Sequence, residues 1–164
     1  ISQTLPAAWA RMQEAELEVP FAMLFGKALI DLPLQGDAAR IAVDVGLLSP
    51  YRAEVAKHDL HGDVTATFLA GLAKGDLAGS VAPNSLGRAV AAAFSAPTAS
   101  AEAQALLDGG RKGEAILVAI DNIGRGVEGD LQGVTEGLSL LRLVGLDEMA
   151  QRTALELMLL ERRG

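Results

Sequence analysis

Apolar side chains return at steps of three and four along most of this chain, the period of an α-helix and not the alternation of a strand. The pattern is plainest near the C-terminus. Leu131, Val134, Leu138, Leu141 and Val144 fall on one stripe, and Leu146, Met149, Ala150, Thr153, Leu157 and Leu160 on a second. Between the stripes Gly145 is free to take the left-handed conformation that ends a helix, and Asp147 can cap the next one. The spacing therefore predicts two antiparallel helices joined by a tight turn. Leu140, Leu143, Leu155 and Leu159 give this hairpin a second apolar side, which calls for cover from the preceding helix, Glu114 to Ile123, or from a partner.

The same punctuation runs upstream. Thr4-Leu5-Pro6 opens a helix that carries Trp9 and Met12 and ends by Val19. From Pro20 to Pro33 a strongly apolar helix carries Phe21, Leu24, Phe25, Ala28 and Leu29; Gly26 and Lys27 interrupt it, so it reads as a buried helix and not as a membrane span. A third helix, Ala38 to Leu48, turns Ile41, Val45 and Leu48 inward. Ser49-Pro50 starts a fourth, Tyr51 to about Leu60. Gly62-Asp63 starts a fifth with Val64, Phe68, Leu69 and Leu72. Asp76 to Ala82 is a loop or a single turn. Pro83-Asn84-Ser85 restarts a helix through Leu86, Val90 and Phe94, which Ala96-Pro97-Thr98 breaks. Ser100 to Leu107 is short and Ala-rich. Ile116, Leu117, Ile120 and Ile123 mark the next helix, with Gly124 to Gly129 as its closing turn.

About ten short helices result, with no convincing strand, so the fold class is all-α. Short connections favour stacked antiparallel pairs, in an irregular α-solenoid-like array or a compact helical bundle. The pair Gly-Asp recurs at 36–37, 62–63, 75–76 and 129–130. Its intervals are unequal, so it reads as Gly stopping one helix and Asp capping the next, and not as the period of a tandem repeat.

Composition narrows the picture. At 164 residues, half of them apolar, residues 1–164 are expected to form a single domain with a sizeable core. Aromatic residues make up only 4%, so the core must be Leu, Ala, Val and Ile, and small Ala and Gly faces let helices approach closely. A net charge of −7 argues against a phosphate-binding surface and hence against nucleic acid; the Arg162-Arg163 pair follows Glu161 and complements a helix end. The absence of cysteine removes disulfides, thiolate metal sites and cysteine chemistry. No apolar run reaches membrane-spanning length and no signal-peptide pattern is present, so the chain is expected to be soluble, its compartment unspecified. A start at Ile1 suggests a fragment or processed form of a longer chain.

Chemistry has one candidate centre. Both histidines lie in Lys57-His58-Asp59-Leu60-His61-Gly62-Asp63. His58 and His61, three apart on a helix, share a face and could hold a divalent metal with Asp63 or Asp59 as third ligand. The simpler reading places His58 in the last turn of one helix and Asp63 as the cap of the next. Gly124-Arg125-Gly126-Val127-Glu128-Gly129 spells the dinucleotide fingerprint, but that mechanism needs a strand before it and a βαβ unit around it, and neither is predicted. Nucleophile-elbow, P-loop and Ser-x-x-Lys patterns do not occur. No cofactor is implied. The expected function is a non-catalytic all-helical protein–protein interaction or scaffold domain, with self-association allowed. The alternatives are a binding domain for a small apolar or lipid-like ligand and, third, a metal-dependent hydrolase centred on His58 and His61.

Overall fold

The computed structural model describes residues 1–58 and 63–160. Among them are ten α-helices and no strand: α1 (Leu5–Glu14), α2 (Glu18–Ile30), α3 (Asp37–Leu48), α4 (Arg52–Val55), α5 (Val64–Lys74), α6 (Ser85–Ser95), α7 (Ala101–Asp108), α8 (Lys112–Val127), α9 (Leu131–Leu143) and α10 (Asp147–Leu159). Contacts divide the chain into two compact units, Ile1–Lys74 and Gly75–Gly164. In the first, α2 and α3 form the main pair, α1 packs on both, α4 packs on α3, and α5 on α4. In the second, α9 is central: α8, α6 and α10 lie against it, and α7 packs on α8.

One turn joins four successive helix pairs: α1 to α2, α7 to α8, α8 to α9, and α9 to α10. The second of three linking residues is left-handed, and the N–H of the third reaches back to the carbonyl five residues earlier: Leu17 to Met12 at 2.8 Å, Arg111 to Leu106 at 2.8 Å, Asp130 to Arg125 at 3.1 Å and Leu146 to Leu141 at 2.9 Å. Glycine fills the left-handed position at 110, 129 and 145, whereas the first turn uses Glu16 at φ 58°. Caps are supplied by Asp63, Asn84, Ser100 and Asp130, each accepting the backbone N–H three residues on at 2.6–3.2 Å. Asp147 does not act as the cap its position predicts. It is the first residue of α10 and accepts from Arg142 instead. Asp37 likewise sits inside α3 and binds Arg40.

Two boundaries differ from the sequence reading. The fourth helix shrinks to Arg52–Val55, with a turn after it; Leu60 and Gly62, expected to end it, lie outside the described residues, as do Glu161, Arg162 and Arg163. The eighth helix runs on through the expected turn to Val127. Gly124 and Gly126 are both helical; at Gly126 α9 comes close, so that a Cβ there would lie 2.4 Å from a Val134 methyl, whereas Gly124 faces open space.

The larger difference is which faces are inside. α2 buries Glu18, Ala22, Gly26 and Leu29 and leaves Met23, Leu24 and Phe25 exposed. α8 buries Ala115, Ala119 and Asn122 and exposes Leu117 and Ile120. α10 buries Ala150, Ala154 and Leu155 and exposes Met149, as Leu146 just before it is exposed. Close approach explains the choice. A Cβ on Gly26 would meet the Cβ of Ser49 at 2.4 Å, one on Gly133 the carbonyl oxygen of Asn122 at 2.6 Å, and one on Gly137 that of Ala119 at 2.8 Å. Val134 on α9 meets Gly126, Gly133 meets Asn122 and Gly137 meets Ala119, so moving forward along α9 from Gly133 to Gly137 steps back along α8 and the two helices run antiparallel, as the short turn requires. Leu140 shares by spacing the side of α9 that carries Gly133 and Gly137, the side α8 covers. Larger residues fill the spaces between pairs: Val45, Leu47, Val55, Phe68 and Leu72 in the first unit, Val90, Val134, Leu138, Leu140 and Leu155 in the second, all nearly or fully inaccessible.

Candidate functional site

The proposed metal set is only partly placed. His58 is exposed at the end of the turn after α4, and Asp63 caps α5 through Ala66 N–H at 2.6 Å. His61 and the alternative ligand Asp59 lie outside the described residues. Among the described residues no group of three His, Asp or Glu side chains is arranged to hold a metal ion. The dinucleotide-like glycines are not a loop at all: Gly124 and Gly126 belong to α8, with Gly129 in the turn to α9 and no strand before them. That arrangement lacks the strand-to-helix crossover on which pyrophosphate binding depends.

Asp44 was not singled out by any motif. It lies half-buried on α3, and burial pushes its carboxyl up to about 6, against the opposing pull of Arg40. A carboxyl displaced in this direction is a candidate acid–base group on physical grounds. Its consequence is for stability. The folded-state value lies above the unfolded value, so the native state holds the proton more tightly. The contribution of Asp44 to stability is therefore greatest below the ordinary 3.8 and is lost as pH rises through about 6. Asp44→Asn removes this penalty. Urea unfolding of both proteins across pH should show the variant's advantage widening between pH 4 and 6 and constant above 7; an advantage that shrinks with rising pH would contradict the assignment.

What the fold does present is apolar surface. On α2, Leu24 is 77% exposed and Met23 55%. Leu17, just before the helix, and Phe25 are also exposed, and Phe25 closes a chain of ring contacts from buried Trp9 through Phe21, with centroids 5.9 and 4.8 Å apart. On α8, Leu117, Ile120 and Val127 are 66, 58 and 69% exposed. Beside Leu117 an open groove of about 470 Å³ lies between α7 and α8, with Ala105, Leu106, Leu117 and Val118 as apolar lining and Glu102, Arg111 and Glu114 among it. Arg111 and Glu114 are an exposed ion pair that holds the Glu114 carboxyl below its ordinary value and the Arg111 guanidinium above its own. No described helix is long and apolar enough to cross a membrane.

Comparison with protein-family models, with curated proteins and with solved structures finds no match for this chain. The reading of its function therefore rests on its own surface.

Proposed function

We propose that this is a non-catalytic, all-helical protein–protein interaction domain. The observation that carries the reading is the inversion on α2: the helix turns Ala22 and Gly26 into the core and leaves Met23, Leu24 and Phe25 in solvent. Exposed apolar side chains grouped on one element are costly to keep in water and mark contact surfaces more often than they mark chance. A partner with a complementary apolar surface, such as the apolar stripe of an amphipathic helix, would bury them.

The alternative of a small apolar ligand draws on the groove between α7 and α8, which is open to solvent rather than enclosed, unlike the pockets that bury most of a small ligand. The hydrolase reading takes Asp63 or Asp59 as third ligand beside His58 and His61; Asp63 already accepts the Ala66 N–H as the cap of α5, and Asp59 and His61 lie outside the described residues. Both considerations favour the interaction domain.

The test compares two baits. Wild-type protein and a Leu24→Asp variant, both checked for folding by circular dichroism, are exposed to native-host extract and cross-linked. Partners retained by the wild type and reduced at least tenfold by Leu24→Asp support the reading. Equal recovery with both baits, or recovery of the bait alone, contradicts it.

A further inference from the structure

The helices of the second unit are not all tied in alike. α7, α8, α9 and α10 follow one another through three-residue turns, each closed by a backbone hydrogen bond, so each moves with the next. α6 is joined instead by residues 75–84 on one side and residues 96–100 on the other, both non-helical. The longer connection is anchored at buried Leu77; beyond that point a Cβ on Gly79 would meet nothing within 4 Å. α6 lies on α9 and, at its edge, on α10. It buries only Gly87, Val90 and Ala93, so Val90 is its one buried side chain larger than a methyl group. What fastens it is polar. Thr135 Oγ1 donates to the carbonyl oxygen of Ala89 at 2.9 Å, and Arg142 Nη1 to those of Ala93 and Phe94 at 3.1 and 2.6 Å. Both latch residues also have a partner off α6. The Leu131 carbonyl oxygen lies 3.3 Å from the Thr135 hydroxyl, and Asp147 accepts from Arg142 Nε at 3.0 Å. When α6 lifts, water meets its carbonyls and neither latch side chain is stranded, so these bonds hold the helix without locking it.

We propose that α6 is a strap that opens as a unit while α8, α9 and α10 stay folded. Elements with few buried apolar contacts open locally at a lower free energy than the whole fold, and α6 is such an element. Opening uncovers the side of α9 that carries Thr135, Leu138 and Arg142, which share a face by their spacing of three and four. Leu138 is wholly inaccessible with α6 in place. The contact between α8 and α9, built on close approach at Gly133 and Gly137, is left intact. The motion lies wholly within the second unit, so its outcome is independent of whether α2 binds a partner.

Native-state amide hydrogen exchange of the whole chain tests this. The hydrogen-bonded amides of α6 should exchange roughly 100-fold faster than those of α8 and α9. Their rate should rise only shallowly with low concentrations of urea, because little surface is exposed, whereas that of α8 should rise steeply. Arg142→Ala removes a latch and should speed α6 exchange by about 30-fold. Gly137→Ala loosens the contact that the open form keeps, so it should speed α8 exchange by about tenfold and leave α6 unchanged. One common rate and one urea slope for α6 and α8 would overturn the proposal. So would an α6 indifferent to Arg142→Ala, or one that Gly137→Ala speeds as much as α8.

Discussion

Gly137→Val is expected to destabilise the second unit by about 3 kcal/mol, lowering the melting temperature by roughly 10 °C. Gly137 lies where α9 crosses α8. A Cβ there would stand 2.6 Å from Cγ1 of Ile123, 2.8 Å from the carbonyl oxygen of Ala119 and 3.2 Å from the backbone nitrogen of Ile123. The Ile123 side chain can rotate away, but the two backbone atoms belong to a 16-residue helix and cannot move without it. The helices must separate, and Val134, Leu138 and Leu140, all inaccessible, would lose close packing. Replacing a helical glycine should otherwise help by up to about 1 kcal/mol, so the sign reports the close approach. Gly113→Ala supplies the contrast. Its Cβ meets nothing within 4 Å, and that variant should be unchanged or slightly more stable. Thermal unfolding followed by circular dichroism measures both.

Arg142→Ala is expected to cost about 2–3 kcal/mol, far more than its place in an ion pair suggests. The side chain leaves α9 to close the C-terminal end of α6. Nη1 donates to the carbonyl oxygens of Ala93 at 3.1 Å and Phe94 at 2.6 Å, Nε donates to Asp147 at 3.0 Å, and the guanidinium lies 4.9 Å from the centre of the Phe94 ring. The last carbonyls of a helix have no partner within it and carry the negative end of its dipole, so a cation held there serves both needs. Removing it leaves those oxygens unsatisfied in a partly buried site. Arg152, paired with Glu156 at 2.8 Å on the exposed side of α10, is the comparison; Arg152→Ala should cost less than about 0.5 kcal/mol. Urea unfolding of the two variants separates the roles, and similar losses from both would contradict the clamp.

The helices were legible because period and punctuation agree. Pro, Gly and capping residues mark nearly every end, and the glycines at 110, 129 and 145 sit at the left-handed position of three nearly identical turns. Which face each helix buries was not legible. Apolar side chains of every size carry the helical period, and hydrophobicity points to the largest ones, Leu24, Leu117, Ile120 and Met149. Packing instead selected alanine and glycine, because the free energy of close helix contact depends on how near the axes can come. That choice is a property of two surfaces together, and neither helix encodes it alone. The role of Arg142 leaves no local signal for a similar reason: its α6 partners lie 48 and 49 residues away. Asp44 acquires its character from burial, which no local motif records. The capping role of Asp63 could be read from Gly62-Asp63 before the apolar run, and it is present. His61, the other half of that candidate site, lies outside the described residues.

The claim on which the rest depends is that α2 keeps its small face inside and its large apolar face in solvent, free for a partner. Equilibrium urea unfolding of Leu24→Asp tests it most directly. With Leu24 at 77% exposure, the variant should unfold within about 0.5 kcal/mol of the wild type. A loss of 3 kcal/mol or more, the cost of placing a charge where a core leucine belongs, would show that Leu24 faces inward and would contradict the account.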